Sequence, residues 1–300
     1  MADASHDETA LLTGATGFIG SHLAARLVDL GWKVHVVVRE GSDLAVLAPL
    51  LDRLVVHRHD GGTESLVAIV AAAKPSIAFH LASNFLAQHT VADVAGLVRS
   101  NVLFSTQLVE ALTRNGVDRL VNTGTSWQHL ENADYRPVNL YAATKQCFED
   151  VLAYYADACG LKASTLVIFD TYGPKDPRGK LVSLLWRTAR SGRPIAMSPG
   201  EQKIDLVHID DVVDAFVRAA ELLPSQSEPT TRWGIGSGRP LDLREIVAIF
   251  EAATGLRVPI EWGARPYRPR EVMTTWTNYR TLPGWTARIR LEDGIAATEP

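Results

Sequence analysis

Cysteine is scarce: only Cys147 and Cys159 occur in 300 residues, both inside one helical stretch. Two thiols so placed make neither a disulfide framework nor a thiolate metal site, and a reducing, cytoplasmic setting is expected. Long apolar runs are missing as well, none approaching the ~20 residues of a membrane helix. The opening MADASHDETA has acidic residues where a secretory signal needs basic ones, so neither secretion nor membrane insertion is expected. Charge of one sign is also lacking. With 30 basic and 34 acidic residues the net charge is -4, which gives no basic field for a polyanion and argues against nucleic acid as a partner. There is no internal repeat and no low-complexity segment.

What is present is enough apolar material for a sizeable core, 46% hydrophobic against 21% charged side chains. From Ala10 to about Leu166, short apolar runs alternate with amphipathic stretches: ALLTG, GFIGSHLAARLVDLGW, KVHVVV, LVVHRHD, ESLVAIVAAAK, SIAFHLAS and DRLVNTG. Such alternation predicts strand and helix units and a doubly wound parallel sheet. VHVVV and IAFHLA are apolar at consecutive positions, as strands covered on both faces must be. Beyond STLVIFD the pattern loosens into GPKDPRGK and SGRPIAMSPGEQ, and the tail holds Trp262, Trp276 and Trp285, which reads as a smaller domain built from pieces. Helical spacing returns from His208 and from Leu243, and RWGIGSG is a candidate for a last strand of the sheet.

Leu11-Leu12-Thr13 leads into Gly14-Ala15-Thr16-Gly17-Phe18-Ile19-Gly20 and then into a helical stretch. A strand, a tight glycine turn and a helix N-terminus present free N–H groups and a positive dipole end to a pyrophosphate, so Gly14, Thr16, Gly17, Phe18 and Ile19 are candidate cofactor contacts. The spacing is G-x-x-G-x-x-G, so the strand-loop-helix context carries the assignment, and a mere packing turn is the plain alternative. About twenty residues on, KVHVVV ends at Arg39-Glu40-Gly41-Ser42. An acidic residue there suits the ribose 2′-hydroxyl of NAD, an arginine the 2′-phosphate of NADP. Arg39 with Ser42 therefore favours NADP(H) over NAD(H). A solvent-facing arginine, or Glu40 after a small register shift, is the competing reading. Asp60-Gly61 is a candidate adenine contact, and Leu81-Ala82-Ser83 is placed to pass under the dinucleotide.

Tyr141-Ala142-Ala143-Thr144-Lys145 lies in a helical segment ending at Gly160, and a spacing of four puts Tyr141 and Lys145 on one face. An ammonium near a phenol stabilises the phenolate, which makes the pair a tunable proton donor. Upstream, LVNTG brings Thr123, Thr125 and Ser126 to the carboxyl edge of the sheet, where open α/β sheets bind ligands. An isolated Y-x-x-x-K is usually a surface pair; behind a phosphate loop and a Thr/Ser-bearing strand end it reads as catalytic. His129 and Cys147 are possible extra proton carriers, with structural roles as the alternative.

These residues, with FHLAS, Asn101 in NVLFSTQLVEAL, Tyr172-Gly173-Pro174, LVHIDDVV, PYRPREV and LEDGIAAT in order over nearly the whole chain, resemble the extended short-chain dehydrogenase/reductases, the NAD-dependent epimerase/dehydratase family. The resemblance implies an α/β, Rossmann-type domain over residues 1–173 with 206–220 and 232–250. It implies a C-terminal substrate-binding domain from 174–205, 221–231 and 251–300, and a homodimer. It implies catalysis by Thr125, Tyr141 and Lys145, with Asn101, Thr123, Phe169, Tyr141 and Lys145 joining the cofactor contacts and no metal. For a nucleotide-sugar substrate it points to Ser83, Thr125, Ser126, Trp127, Asp170, Lys180, Arg268 and Arg270, with solvated arginines as the alternative for the last two. Asp170 departs from the asparagine many relatives carry there.

Sugar dehydratases of this family have an Asp-Glu pair directly after the active-site threonine. Here Ser126-Trp127 follow Thr125, so dehydration lacks its acid and base. The segment NTGTSWQHLENADYRPVNLYAATKQ is most similar to the nucleotide-linked 4-keto-deoxyhexose reductases of the CDP-abequose synthase type, which implies reduction of a C4 ketone. A nucleotide-sugar 4-epimerase, a non-catalytic NADP-binding regulator and a reductase of aromatic or steroid-like ketones stay open beside it.

Overall fold

The structure is a computed structural model that describes residues 8–299; residues 1–7, on which part of the signal-segment expectation rests, lie outside the described residues. The strands are β1 Thr9–Thr13, β2 Lys33–Arg39, β3 Leu54–His59, β4 Ile77–His80, β5 Arg119–Thr125, β6 Lys162–Ile168, β7 Asp170–Tyr172, β8 Ile195–Met197, β9 Lys203–Ile204, β10 Leu206–His208, β11 Thr230–Ile235, β12 Leu241–Asp242 and β13 Ile260–Trp262. The helices are α1 Phe18–Asp29, α2 Thr63–Ala73, α3 Val94–Val98, α4 Phe104–Arg114, α5 Leu140–Cys159, α6 Leu181–Ser191, α7 Ile209–Leu222, α8 Leu243–Thr254 and α9 Leu291–Ala296.

Seven strands form one sheet in the order β11-β6-β5-β4-β1-β2-β3. The pairings β1–β2, β2–β3, β1–β4 and β4–β5 are parallel. The order reverses at β1, between β2 and β4, which is the switch point where open α/β sheets bind ligands. RWGIGSG does return a strand, β11, to its edge. The run VHVVV, from Val34 to Val38, is buried at every position, as a strand with helices on both faces requires.

Two compact units divide the chain. Of the described residues the first holds 8–125, 139–167 and 215–233; the second holds 126–138, 168–214 and 234–299. In the first unit Leu11, Leu66, Val70, Leu108, Leu112, Leu120, Phe148 and Leu152 interlock as the core. Burial of each large apolar side chain contributes roughly 1.5–3 kcal/mol against exposure. The second unit has its own core of Tyr172, Leu185, Trp186, Leu206, Ile246, Phe250 and Ile295. Its strands pair only in twos, β10 with β7, β12 with β9 and β13 with β8.

Candidate active site

The turn after β1 shows why glycine stands where it does. Gly14 has φ +77°, and a Cβ there would lie 2.5 Å from Ala82 N; a Cβ on Gly20 would lie 2.1 Å from Gly14 O. The glycines let the start of α1 close onto the ends of β1 and β4. Gly17 caps α1 with no side-chain hydrogen bond, so the positive dipole end of a 12-residue helix carries no side-chain cap. That unfilled cap and the Cβ-free cradle fit the pyrophosphate of a dinucleotide.

Below the turn lies a buried polar chain. Thr13 Oγ1 accepts from Ala82 N at 3.2 Å and meets His80 Nδ1 at 2.8 Å, while His80 Nε2 meets Ser105 Oγ at 2.8 Å. Ser105 gives its proton to Asn101 O, so His80 donates from Nε2 and accepts at Nδ1 as a neutral ring. Burial, and then Lys145, draw the His80 pKa down to about 3. Asn101 sits in a π-type turn at residues 99–103, between α3 and α4. Its amide is spent within the fold: Oδ1 accepts from Asn84 N and Ser83 Oγ, and Nδ2 donates to Asn84 O and Thr144 Oγ1. Thr123 likewise donates its hydroxyl to His80 O. Both shape the site from beneath.

Helix α5 carries the Tyr-Lys pair. Its N-cap, Asn139, accepts from Ala142 N with Oδ1 and donates from Nδ2 to Leu86 O and Ala87 O. One side chain thus starts the helix and holds the loop of Ser83 and Phe85 beside it. The half-buried Tyr141 hydroxyl is hydrogen-bonded to Ser83 and Thr125, and burial pushes its pKa up to about 12 against their pull. Phe85 meets the Tyr141 ring edge-on, at 5.0 Å between centroids. Lys145 is 3% exposed, and burial lowers its pKa to about 8 against the raising influence of Glu149. Burial thus outweighs the hydrogen bonds from Ser83 and Thr125, so Tyr141 is a protonated acid at neutral pH.

At the end of β2, Arg39 N donates to Ser42 Oγ at 3.1 Å, and Asp60 Oδ1 accepts from Gly62 N at 2.8 Å. The expected residues Ser126, Trp127, Phe169, Asp170, Lys180, Arg268 and Arg270 lie in the second unit. Lys180 pairs with Asp170 at 3.6 Å. Arg268 grips Glu271 from Nε and Nη2, at 3.1 and 2.7 Å, and its guanidinium lies over the Trp127 ring at 5.7 Å. Arg270 has φ +60° and spends its guanidinium on Pro137 O and Val138 O. Phe169 packs beside Trp276 and Tyr279, and Trp276 stacks on His129 at 3.7 Å. Ser126 and Trp127 form a short 3-10 turn.

Sequence reasoning missed Glu271, Asn139, Phe85 and the His129–Trp276 stack. Glu271, three residues from Arg268, was legible as a charge pair. Asn139 was legible as an N-cap three residues before Ala142, but its hold on Leu86 and Ala87, the Phe85–Tyr141 contact and the His129–Trp276 stack span 50 or more residues and leave no local signal. Among the described residues no cluster of three or more His, Cys, Asp or Glu is arranged to hold a metal, and no helix is long and apolar enough to cross a membrane.

A seven-stranded α/β sheet with a glycine phosphate turn at its switch point and a Thr-Tyr-Lys set on adjoining elements defines a nicotinamide-dinucleotide enzyme. The family model for the NAD-dependent epimerase/dehydratase family matches residues 10–236, and the chain belongs to that family. It is 30% identical, over 96% of each chain, to a UDP-glucose 4-epimerase of Mycolicibacterium smegmatis. It is 24% identical to a CDP-abequose synthase of Salmonella muenchen, over 95% of this chain and 94% of that one. Among solved structures it resembles MoeE5 in complex with UDP-glucose and NAD, with 30% identity and a TM-score of 0.83 over 97% of each chain. It also resembles the UDP-glucose 4-epimerase of Thermotoga maritima with UDP-glucose, at 26% identity and a TM-score of 0.86, again over 97% of each.

Proposed function

We propose that this enzyme uses NADPH to reduce the C4 ketone of a nucleotide-linked 4-keto-deoxyhexose. The observation that carries the reading is the Tyr141 phenol, kept protonated by burial and hydrogen-bonded to Thr125 and Ser83, with Lys145 one helical turn away. The bound nicotinamide supplies the hydride. Tyr141 gives its Oη proton to the sugar oxygen as negative charge develops there, because an alkoxide is a stronger base than even this phenolate. Thr125 holds that oxygen by a hydrogen bond, and the Lys145 ammonium steadies the phenolate that remains. Proton donation of this kind contributes typically about 10²–10⁴-fold in rate.

Among the substrate candidates, Arg268 is the choice for the nucleotide diphosphate. Glu271 and Trp127 hold its plane, and those bonds leave Nη1 over as a donor. The similarity to CDP-abequose synthase supports a deoxysugar, and Arg39 with Ser42 supports an exchangeable NADP(H). A second reading, a nucleotide-sugar 4-epimerase, is favoured by the 30% identity to UDP-glucose 4-epimerase. It would use the same three residues with no net consumption of NADPH, which separates the two. A homodimer is supported by the apolar exposure of Val91, Val94, Val98, Leu103 and Tyr154, and a reducing cytoplasm by the free, exposed thiols of Cys147 and Cys159. The test of the reaction is loss of NADPH absorbance on adding a CDP- or dTDP-4-keto-6-deoxyhexose.

A further inference from the structure

We infer that Glu149, fixed by Arg232, is the counter-charge of the Lys145 ammonium and serves as a positioning residue for the reaction, acting through Lys145. The inference deepens the reaction proposed above, since it rests on Lys145 as the partner of Tyr141.

Tyr141, Lys145 and Glu149 follow one another at intervals of four along α5, so the three side chains run down one stripe of the helix. Glu149 stands one turn beyond Lys145, on the side away from Tyr141. Its side chain is drawn inward, 14% exposed, and its Oε2 lies 3.3 Å from Nε of Arg232 on β11, the edge strand of the seven-stranded sheet. A charge-assisted contact of this kind fixes the direction of both groups.

Lys145 is 3% exposed, and a buried ammonium sheds its proton unless an anion stands near it. The titratable and charged groups around it are Tyr141 and Glu149 from α5, His80 from β4 and, behind Glu149, Arg232 from β11. Tyr141 is a neutral phenol and burial keeps His80 a neutral ring, so neither balances the ammonium. Glu149 is the group that opposes burial, and with it the Lys145 pKa rests at about 8. Arg232 meets the carboxylate and holds it in place. Without Glu149 the amine would lose its proton at lower pH, and the phenolate left after proton transfer would have no ammonium beside it. The same ion pair ties α5 to β11, and a purely structural tie is the competing role.

The test follows the 13Cε signal of Lys145 with pH in the full chain labelled on its seven lysines, the signal being assigned by its loss in Lys145→Arg. The expected result for Glu149→Gln is a Lys145 midpoint lower by about 1 pH unit or more. Glu149→Asp keeps the charge on a shorter stem and should fall between Glu149→Gln and wild type. Arg232→Gln leaves the anion to Lys145 and should hold the midpoint or raise it. In Glu149→Gln the fall of kcat with rising pH should start about 1 unit earlier, so that activity missing at pH 8 is regained at pH 6. An unchanged Lys145 midpoint in Glu149→Gln, or an equal drop in Glu149→Gln and Arg232→Gln, would show only a tie between α5 and β11 and would overturn the inference. If Glu149→Gln does not fold, the double variant Glu149→Gln/Arg232→Gln, which strands no charge, is held to the same lower midpoint. The lysine titration needs no sugar, so a shifted midpoint without keto-sugar turnover would refute the reaction and leave the counter-charge standing.

Discussion

Tyr141 and Lys145 show how burial sets chemistry one residue at a time. The phenol, with its pKa pushed up to about 12, stays protonated across the working range, and only a developing alkoxide takes its proton. Tyr141→Phe keeps the ring and its edge contact with Phe85 but removes the proton. It should lower kcat by about 10²–10⁴-fold and leave the NADPH dissociation constant within about twofold; steady-state rates beside a binding titration check both. Lys145 titrates the other way. Burial draws it down to about 8, so it is charged below about pH 8 and neutral above. If the ammonium steadies the phenolate, kcat falls as pH rises through about 8 and holds level below it. The pH–rate profile measures this directly, and a profile flat to pH 10 would deny the role.

At the scale of elements, the β1–α1 turn is the part that tolerates least. The Gly20 Cβ position meets backbone of Gly14 and Ala15, which no rotamer change can relieve, whereas that of Gly17 meets only Gly14 O at 3.2 Å. Gly20→Ala should therefore cost about 1–3 kcal/mol of stability and most dinucleotide affinity, with Gly17→Ala costing clearly less. Urea unfolding of the two variants ranks them, and the reverse order would contradict this account of the turn. This turn was legible in the sequence because a strand, three glycines and a helix are local signals. The Y-x-x-x-K pair was legible for the same reason, and so was the sheet, whose strands are apolar runs between amphipathic helices. In the second unit the helical spacing from Leu243 was legible as α8, but the short strands were not. β9 and β12 have two residues each, too short for any periodicity, and Asp205, which accepts from Ser237 N and Gly238 N, finds its partners 32 and 33 residues away. The fixing of the Ser83 loop by Asn101 and Asn139 was hidden likewise, since a side chain's partner across 17 or 53 residues leaves no trace in local pattern.

The whole molecule carries a net charge of only -4, so its acid sensitivity comes from particular groups. Burial lowers His80 to about 3 and His35 to about 4, the latter with help from His57 and Lys33, and lowers His57 and His59 as well. The unfolded chain takes up protons on these rings below about pH 6.5 while the folded chain does not. Stability is therefore fully present above that pH and falls as pH drops toward 4, by at most about 1.4 kcal/mol per pH unit for each ring held neutral. Urea midpoints at pH 7.5, 6.0 and 5.0 should fall in that order, and His80→Gln should flatten the slope while lowering the starting value. A midpoint that rises on acidification would show the sign to be wrong.

The central claim concerns net reduction. The most direct measurement mixes stoichiometric NADPH with a CDP- or dTDP-linked 4-keto-6-deoxyhexose, follows absorbance at the nicotinamide band, and identifies the sugar product. One NADPH oxidised for each ketone reduced, with the reaction lost in Tyr141→Phe, is the result expected. Interconversion of C4 epimers with no net loss of NADPH would contradict it and make the chain an epimerase.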